Sequence, residues 1–497
     1  MKKLLKSARF QIGAAILLVI MIYGWFFTAG WWITLPNGVY TNMYDQLATG
    51  FCRGQLHLAS KPPATLLNLA DPYDPRERTR ISYLGDASLY DGQYYLYWGP
   101  VPAAVLCGIK IFIYGGEIGD EYFVFVPIAG LMVSLALLAY EIQKKFFGDL
   151  PIYLLLFGIL VAGLANPFTW MLNSPDIYEA GIACGQFFLI TGIYWIFVGL
   201  KDPPRPGLAG IFLGAICLAL AIGSRFTQVL PAAVITIMTL AWYYRDCRPA
   251  RPKKELLALL LILIAPQLIT IAALGWYNYA RFGSFSEFGL RYQLAFVDMH
   301  KAFNSIFSPL YILPNLYNYL LNPFIAARQF PYLLPQYGRI FRNFPLPLPR
   351  LYFSEAITGM LFITPVVCFA IYGLIARLTK DRRHNSGSPS QLQRLELGLA
   401  LAAAANIAVL LCFFDAAERY SVEMIGPLIP LILIGVWEGY VRLADRPVWR
   451  RVYLALTLVL GGISILNSSL LAISSVQDRF FYSNPALMER ITNLLLH

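Results

Sequence analysis

One stretch of this chain interleaves carboxylates with aromatic rings: Asp86-Ala87-Ser88-Leu89-Tyr90-Asp91-Gly92-Gln93-Tyr94-Tyr95-Leu96-Tyr97-Trp98. Those residue types suit carbohydrate. A carboxylate accepts a hydrogen bond from a sugar hydroxyl and can take its proton, and an aromatic face covers the C–H surface of a sugar ring. A further acid, Asp45, lies upstream on an expected amphipathic segment with Leu47, Phe51 and Leu56. Asp45, Asp86 and Asp91 are therefore the candidate general bases, and Tyr94, Tyr95 and Trp98 are candidate substrate contacts. The competing reading is an interfacial aromatic belt with aspartates in turns. It suits Asp71 and Asp74, which sit beside prolines, and it stays open for Asp91-Gly92.

Four arginines are placed where an anion could meet them. Arg225 sits in a very short turn, Gly223-Ser224-Arg225-Phe226-Thr227, between two apolar runs. Arg281 and Arg291 flank an aromatic segment that also holds Glu287, and Arg419 stands among Asp415, Glu418 and Glu423. A guanidinium pairs bidentately with phosphate, so Arg225, Arg281, Arg291 and Arg419 are candidate phosphate ligands. Attraction to anionic headgroups and pairing of Arg419 with its neighbouring acids are the plainer alternatives. Asp176 and Glu179 follow Pro175 at an expected helix start. With Glu287 they are candidate substrate contacts, although acids at a helix N-terminus also suit its dipole.

The elements that must position these groups are membrane helices. Of 497 residues, 58% are hydrophobic and only 13% charged, against roughly 25% charged in soluble domains. This excludes disordered, collagen-like and disulfide-scaffold classes. The fold class expected is an all-α polytopic membrane protein of about 11–12 helices. Apolar runs fall near 12–32, 121–141, 151–166, 180–199, 208–223, 228–244, 256–276, 356–376, 396–414, 422–442 and 452–473. Residues 98–117 are apolar but contain Pro100, Pro102 and Lys110. Counting them as a crossing would move the basic loops at 142–150 and 245–255 outside, against the positive-inside rule, so they are read as a helix in the outer interface. The N-terminus is then inside, the C-terminus outside, and two large loops, 33–120 and 277–355, face outward. The chain divides into an N-terminal membrane module (1–276, with outer loop 33–120), the second outer loop (277–355), C-terminal helices (356–473) and an outer tail (474–497).

The net charge of +11 follows mainly from those inside loops and calls for no nucleic-acid partner. Seven cysteines without a CxxC read as small buried hydrophobes, with no disulfide framework or thiol zinc site expected. No P-loop, GxSxG or HExxH motif occurs, so the chemistry is placed outside and must use a donor that the membrane supplies.

In these features the chain resembles the GT-C superfamily of integral membrane glycosyltransferases, which includes protein O-mannosyltransferases and lipid A aminoarabinose transferases. The resemblance rests on a first helix followed by a long acidic outer loop, Lys61-Pro62-Pro63, the outer turns with Asp176 and Arg225, and Glu418-Arg419-Tyr420 before a span with Pro427 and Pro430. Tyr277–Gly283 and Leu89–Tyr97 are similar to a bacterial branch of unassigned substrate. The family typically places an acid soon after the first helix. This chain reads Leu35-Pro36-Asn37-Gly38-Val39-Tyr40-Thr41-Asn42 there, and Asp45 is the nearest substitute. The resemblance implies a polyprenyl-phosphate sugar donor, inverting transfer to an extracytoplasmic hydroxyl of a glycan, lipid or protein, and in some members a divalent cation (Mg or Mn). A transporter or lipid flippase, and a catalytically degenerate envelope scaffold, are the alternatives.

Overall fold

The structure is a computed structural model that describes residues 7–33, 41–113, 115–200, 207–247, 253–337, 351–373, 391–475 and 478–496. Half of the basic loop residues expected inside lie outside those ranges. About 70% of the described residues are helical, and among them eight helices are long and apolar enough to cross a membrane. The protein is an integral membrane protein.

The helices used below are α1 (Ala8–Phe27), α2 (Met43–Cys52), α3 (Val101–Phe112), α4 (Tyr122–Phe146), α5 (Ile152–Leu164), α6 (Phe168–Asn173), α7 (Ile177–Gly199), α8 (Leu208–Ser224), α9 (Val229–Trp242), α10 (Lys253–Phe282), α11 (Gln391–Leu411), α12 (Glu418–Arg442) and α13 (Pro447–Ile473). Burial sorts them. α12 has 83% of its apolar window inside the protein, whereas α10 has only 17%. A helix that is apolar all round and buried is a core element, so α12 is the axis of the bundle and α10 a lipid-facing wall. Trp437 of α12 is completely buried, as are Leu131, Ile159 and Leu189 of α4, α5 and α7.

The span expected at 356–376 begins late. Residues Ala356–Ile357 form a strand, Met360–Ile363 a single helical turn and Pro365–Val367 a 3₁₀ turn. Pro365 disfavours helix at Thr364 before it, so an apolar run by composition is broken locally by its turn chemistry. Helix α3 has 12 residues, about 18 Å at 1.5 Å per residue, short of the ~30 Å bilayer core.

The two outer loops are stitched together. Strands β1 (Ser88–Tyr90) and β2 (Gln93–Tyr95) form an antiparallel hairpin. Its turn residues Asp91 and Gly92 both have positive φ, 47° and 68°, as an Asp-Gly type I′ turn requires. Ser88 bridges to Gln293, and Leu294 N donates to Ala87 O at 2.9 Å. A parallel pair, β3 (Phe353–Ser354) with β4 (Asp415–Ala416), carries Glu355 to the foot of α12.

The cysteine expectation needs correction. Cys52 and Cys107 form a disulfide with Cα atoms 5.7 Å apart. Its halves lie in a polar loop and an apolar run, 55 residues apart, and only the packing of α2 against α3 brings them together.

Candidate functional site

A cavity of about 310 Å³ opens among the start of α3, the ends of α8 and α10, the second outer loop, α11 and the foot of α12. Its walls are largely apolar, with Trp98, Ile222, Leu274, Phe288 and Leu410 among them. Arg225, Thr227, Tyr97, Glu287 and Tyr420 supply polar groups.

Arg225 stands at the C-cap of α8, in extended backbone. Its Nε donates to Glu423 Oε1 at 2.7 Å, and Thr227 Oγ1 donates to Glu423 Oε2 at 3.2 Å. Glu423 is itself held from behind: Asn406 Nδ2 donates to its carbonyl at 2.7 Å, and Gln228 reaches Asn406. This polar chain fixes the arginine stem. The two Nη groups of Arg225 have no hydrogen-bond partner among the described residues. A guanidinium that lines an apolar cavity with both Nη groups uncommitted has the donors to pair with an oxyanion.

The other arginines are differently employed. Arg281 Nη1 donates to Leu96 O at 2.6 Å, Nη2 to Asn278 Oδ1 at 2.8 Å and Nε to Tyr277 O at 3.2 Å. Its guanidinium lies 3.7 Å from the Tyr277 ring centroid. It lines the cavity, yet it serves as a strut between α10 and the residue after β2. Arg291 is half-exposed, 3.7 Å from Glu287 and over the Phe303 ring. Arg419 contacts both oxygens of Glu355, at 3.0 and 2.8 Å, with Asp415 at 3.4 Å and Glu179 at 4.0 Å. The alternative in which Arg419 pairs with acids describes its geometry, and the sequence did not mark Glu355 as a partner.

The candidate acids separate as sharply. Asp45 is buried on α2, with its Oδ1 taken by Lys110 Nζ at 2.7 Å and Ile118 N at 2.9 Å. Asp91 is exposed at the hairpin tip. Asp86 lies just before β1 at φ 62°, a left-handed conformation that aspartate tolerates better than most residues. Its Oδ1 accepts from Tyr178 OH at 2.8 Å and Gln293 Nε2 at 3.1 Å. Its Oδ2 accepts from no described residue. Burial, then the nearby Asp176, push the Asp86 carboxyl up, while Tyr178, Arg419 and Gln293 oppose the shift.

Asp176 caps α7: its Oδ1 accepts from Ile177 N and Thr41 Oγ1, both at 2.7 Å. The segment after α1 thus brings a hydroxyl, Thr41, to this carboxylate. Asp120, unmarked by sequence, is fully buried and caps α2 through Met43 N and Tyr44 N, and burial pushes it up to about 6. Glu179 is buried beside Arg419. Tyr94 points inward, is almost completely buried and accepts from Leu84 N, a core role. Tyr95 is half-buried against Phe282. Trp98 lines the cavity, its ring tilted against Tyr97 at 3.9 Å and edge-on to Tyr178 at 4.7 Å. Glu287 lines it too, accepting from Gly289 N at 2.8 Å.

Tyr97 links the two halves of the site. It lines the cavity, and Arg225, Asp86, Arg419 and Tyr420 all lie within its electrostatic reach. Among the described residues no group of three His, Cys, Asp or Glu side chains is arranged to hold a metal ion.

No family model and no curated protein matches the chain. Solved structures do. An oligosaccharyltransferase of Archaeoglobus fulgidus, in its apo form, superposes with TM-score 0.50 at 12% identity, over 93% of this chain and 56% of that one. The chain spans about half the length of that protein. ArnT of Cupriavidus metallidurans bound to undecaprenyl phosphate matches over 96% of this chain and 76% of its own, at 12% identity and TM-score 0.40. The chain shares its fold with that archaeal membrane protein.

Proposed function

We propose that the protein is a membrane glycosyltransferase that moves a sugar from a polyprenyl-phosphate donor to an extracytoplasmic hydroxyl of a glycan, lipid or protein. The observation that carries this reading is the pairing, across Tyr97, of a half-committed arginine in an apolar cavity with a carboxylate that has one open oxygen. The resemblance of the chain to GT-C enzymes, and the fold it shares with an archaeal oligosaccharyltransferase, agree with it.

In this reading the prenyl chain lies along the apolar walls and the donor phosphate meets the Nη groups of Arg225. Asp86 Oδ2 accepts the proton of the acceptor hydroxyl as that oxygen attacks the anomeric carbon. The bond from that carbon to the phosphate oxygen breaks, and the departing phosphate gains negative charge. Arg225 stabilises that charge, which is greater in the transition state than in the bound donor, as catalysis requires. Tyr178 and Gln293 hold Asp86 through Oδ1 and leave Oδ2 free for the proton. Where a divalent cation takes part, Asp86 and Asp176 are the acids nearest to hand. The disulfide between α2 and α3 supports an extracytoplasmic first outer loop, because such bonds persist in oxidising compartments. An inside N-terminus and outside C-terminus accord with it.

Glycolipid and lipid-linked saccharide analysis of a deletion strain tests the function. The expected result is loss of one glycosyl group from an envelope component, with its lipid-linked donor accumulating. An unchanged glycan and lipid profile would refute it.

A further inference from the structure

Within the first outer loop, α2 is joined to α3 at two points that the transfer chemistry does not use. One is the Cys52–Cys107 disulfide. The other is the ion pair of Asp45 with Lys110, whose side chains are 6% and 10% exposed. Such an ion pair in a mostly desolvated setting is costly to break from one side, since the remaining charge is left unpaired.

The spacing of these points is informative. Asp45 and Cys52 stand near opposite ends of α2, about 10 Å apart along a helix axis. Their partners Cys107 and Lys110 lie one turn apart on α3. A single attachment would leave α3 able to pivot, whereas two separated attachments fix the angle at which it crosses α2. The outward face of α3 offers no comparable hold: Val105, Ile111 and Phe112 are 47%, 61% and 85% exposed.

The position of α3 matters because its start is cavity wall. Trp98, Gly99 and Pro100 line the cavity. Gly99 lies so close to the α8 end that a Cβ there would collide with the carbonyl oxygens of Gly223 and Ser224. Those residues immediately precede Arg225. A pivot of α3 would therefore shift the Trp98–Pro100 wall and press on, or withdraw from, the turn that aims the Arg225 fork.

We propose that Cys52–Cys107 and Asp45–Lys110 form a two-point clamp that positions α3 as one wall of the donor cavity, making phosphate-lipid binding sensitive to thiol reduction. This rests on the reading of the cavity as the donor site. Asp45 is then a positioning residue. Reduction by an external dithiol breaks the S–S bond, leaves a thiol on each of Cys52 and Cys107, and converts the dithiol to its cyclic disulfide.

The test uses the full-length protein in lipid nanodiscs, oxidised or treated with dithiothreitol, with undecaprenyl phosphate as the probe. Two readouts are taken: the Kd for undecaprenyl phosphate, and amide hydrogen exchange over residues 99–112. Reduction is expected to raise Kd about three- to tenfold and to speed exchange in 99–112. Cys52→Ser/Cys107→Ser should match the reduced native protein and no longer respond to dithiothreitol. Adding Lys110→Met with Asp45→Asn should weaken binding by more than the product of the separate effects, the mark of two contacts holding one element. Unchanged exchange in 99–112 on reduction would overturn the clamp, whatever the ligand. Faster exchange with unchanged Kd would overturn its coupling to the cavity. If the oxidised native protein binds no undecaprenyl phosphate, the donor reading fails, and the exchange data still decide whether the clamp exists.

Discussion

Helix α2 and the β1–β2 hairpin, both within the first outer loop, each carry an acid of the same type, and their surroundings give the two acids opposite characters. On α2, Asp45 is locked by Lys110 and a backbone N–H, with a disulfide at the other end of the same helix and Asp120 capping its start. At the hairpin, Asp86 sits at positive φ and accepts only from the neutral Tyr178 hydroxyl and Gln293 amide, whereas the contacts of Asp45 are the charge of Lys110 and a backbone donor. Strain of that kind persists where the surroundings over-determine it, and functional sites are where it collects. The same division recurs in the cavity. Arg281 uses all three of its nitrogens on protein acceptors, while Arg225 commits only Nε. Side-chain type nominates a group for chemistry, and what its partners leave of its charge and its donors decides whether it can act.

The largest expected effect breaks the comparison at its reactive end. Asp86→Asn should lower transfer by roughly two to four orders of magnitude, the range for loss of a general base, with little change in melting temperature. Asp45→Ala should do the reverse. It leaves Lys110 buried without its partner, at about 3–5 kcal/mol, and should appear chiefly as a fall in thermal stability. Equal activity losses in the two variants would erase the distinction between the two acids. In the cavity, Arg225→Lys should weaken donor use about tenfold, because an ammonium cannot keep Glu423 on one nitrogen and present a fork with two others. Asp91→Asn should change stability and transfer least, within about 0.5 kcal/mol, because Asn-Gly serves a type I′ turn as well as Asp-Gly does.

The pH dependence of stability and of activity should run in opposite directions. Burial pushes Asp120 up to about 6 and Asp415 up to about 7. Such carboxyls hold a proton more tightly in the folded than in the unfolded chain. Their contribution is complete below the unfolded value near 4 and is lost as pH rises through 6–7. Melting temperature should fall between pH 5 and 8, and Asp120→Asn should flatten part of that slope. Transfer should instead rise with pH as Asp86, shifted above the usual carboxylate range, gives up its proton.

Much of this was readable from residue order. Hydropathy locates the spans because a lipid-facing helix such as α10 must be apolar throughout, and Asp91-Gly92 announces its turn locally. What was not readable depends on distant partners. Glu423 lies 198 residues from Arg225 and Gln293 lies 207 from Asp86, so neither pairing leaves a trace in local pattern. Cys52 and Cys107 looked like isolated small hydrophobes for the same reason. Residues 356–367 passed for span because composition averages over the Gly359 and Pro365 that break it.

The central claim, transfer from a lipid-linked sugar, is tested most directly in proteoliposomes containing polyprenyl-phosphate sugars drawn from the native membrane. The quantity to follow is free polyprenyl phosphate released over time. The native protein should release it in step with glycosylation of an envelope acceptor, and Asp86→Asn should release almost none. Equal release by both proteins, or none by the native protein with its donor and acceptor pools present, would contradict the account.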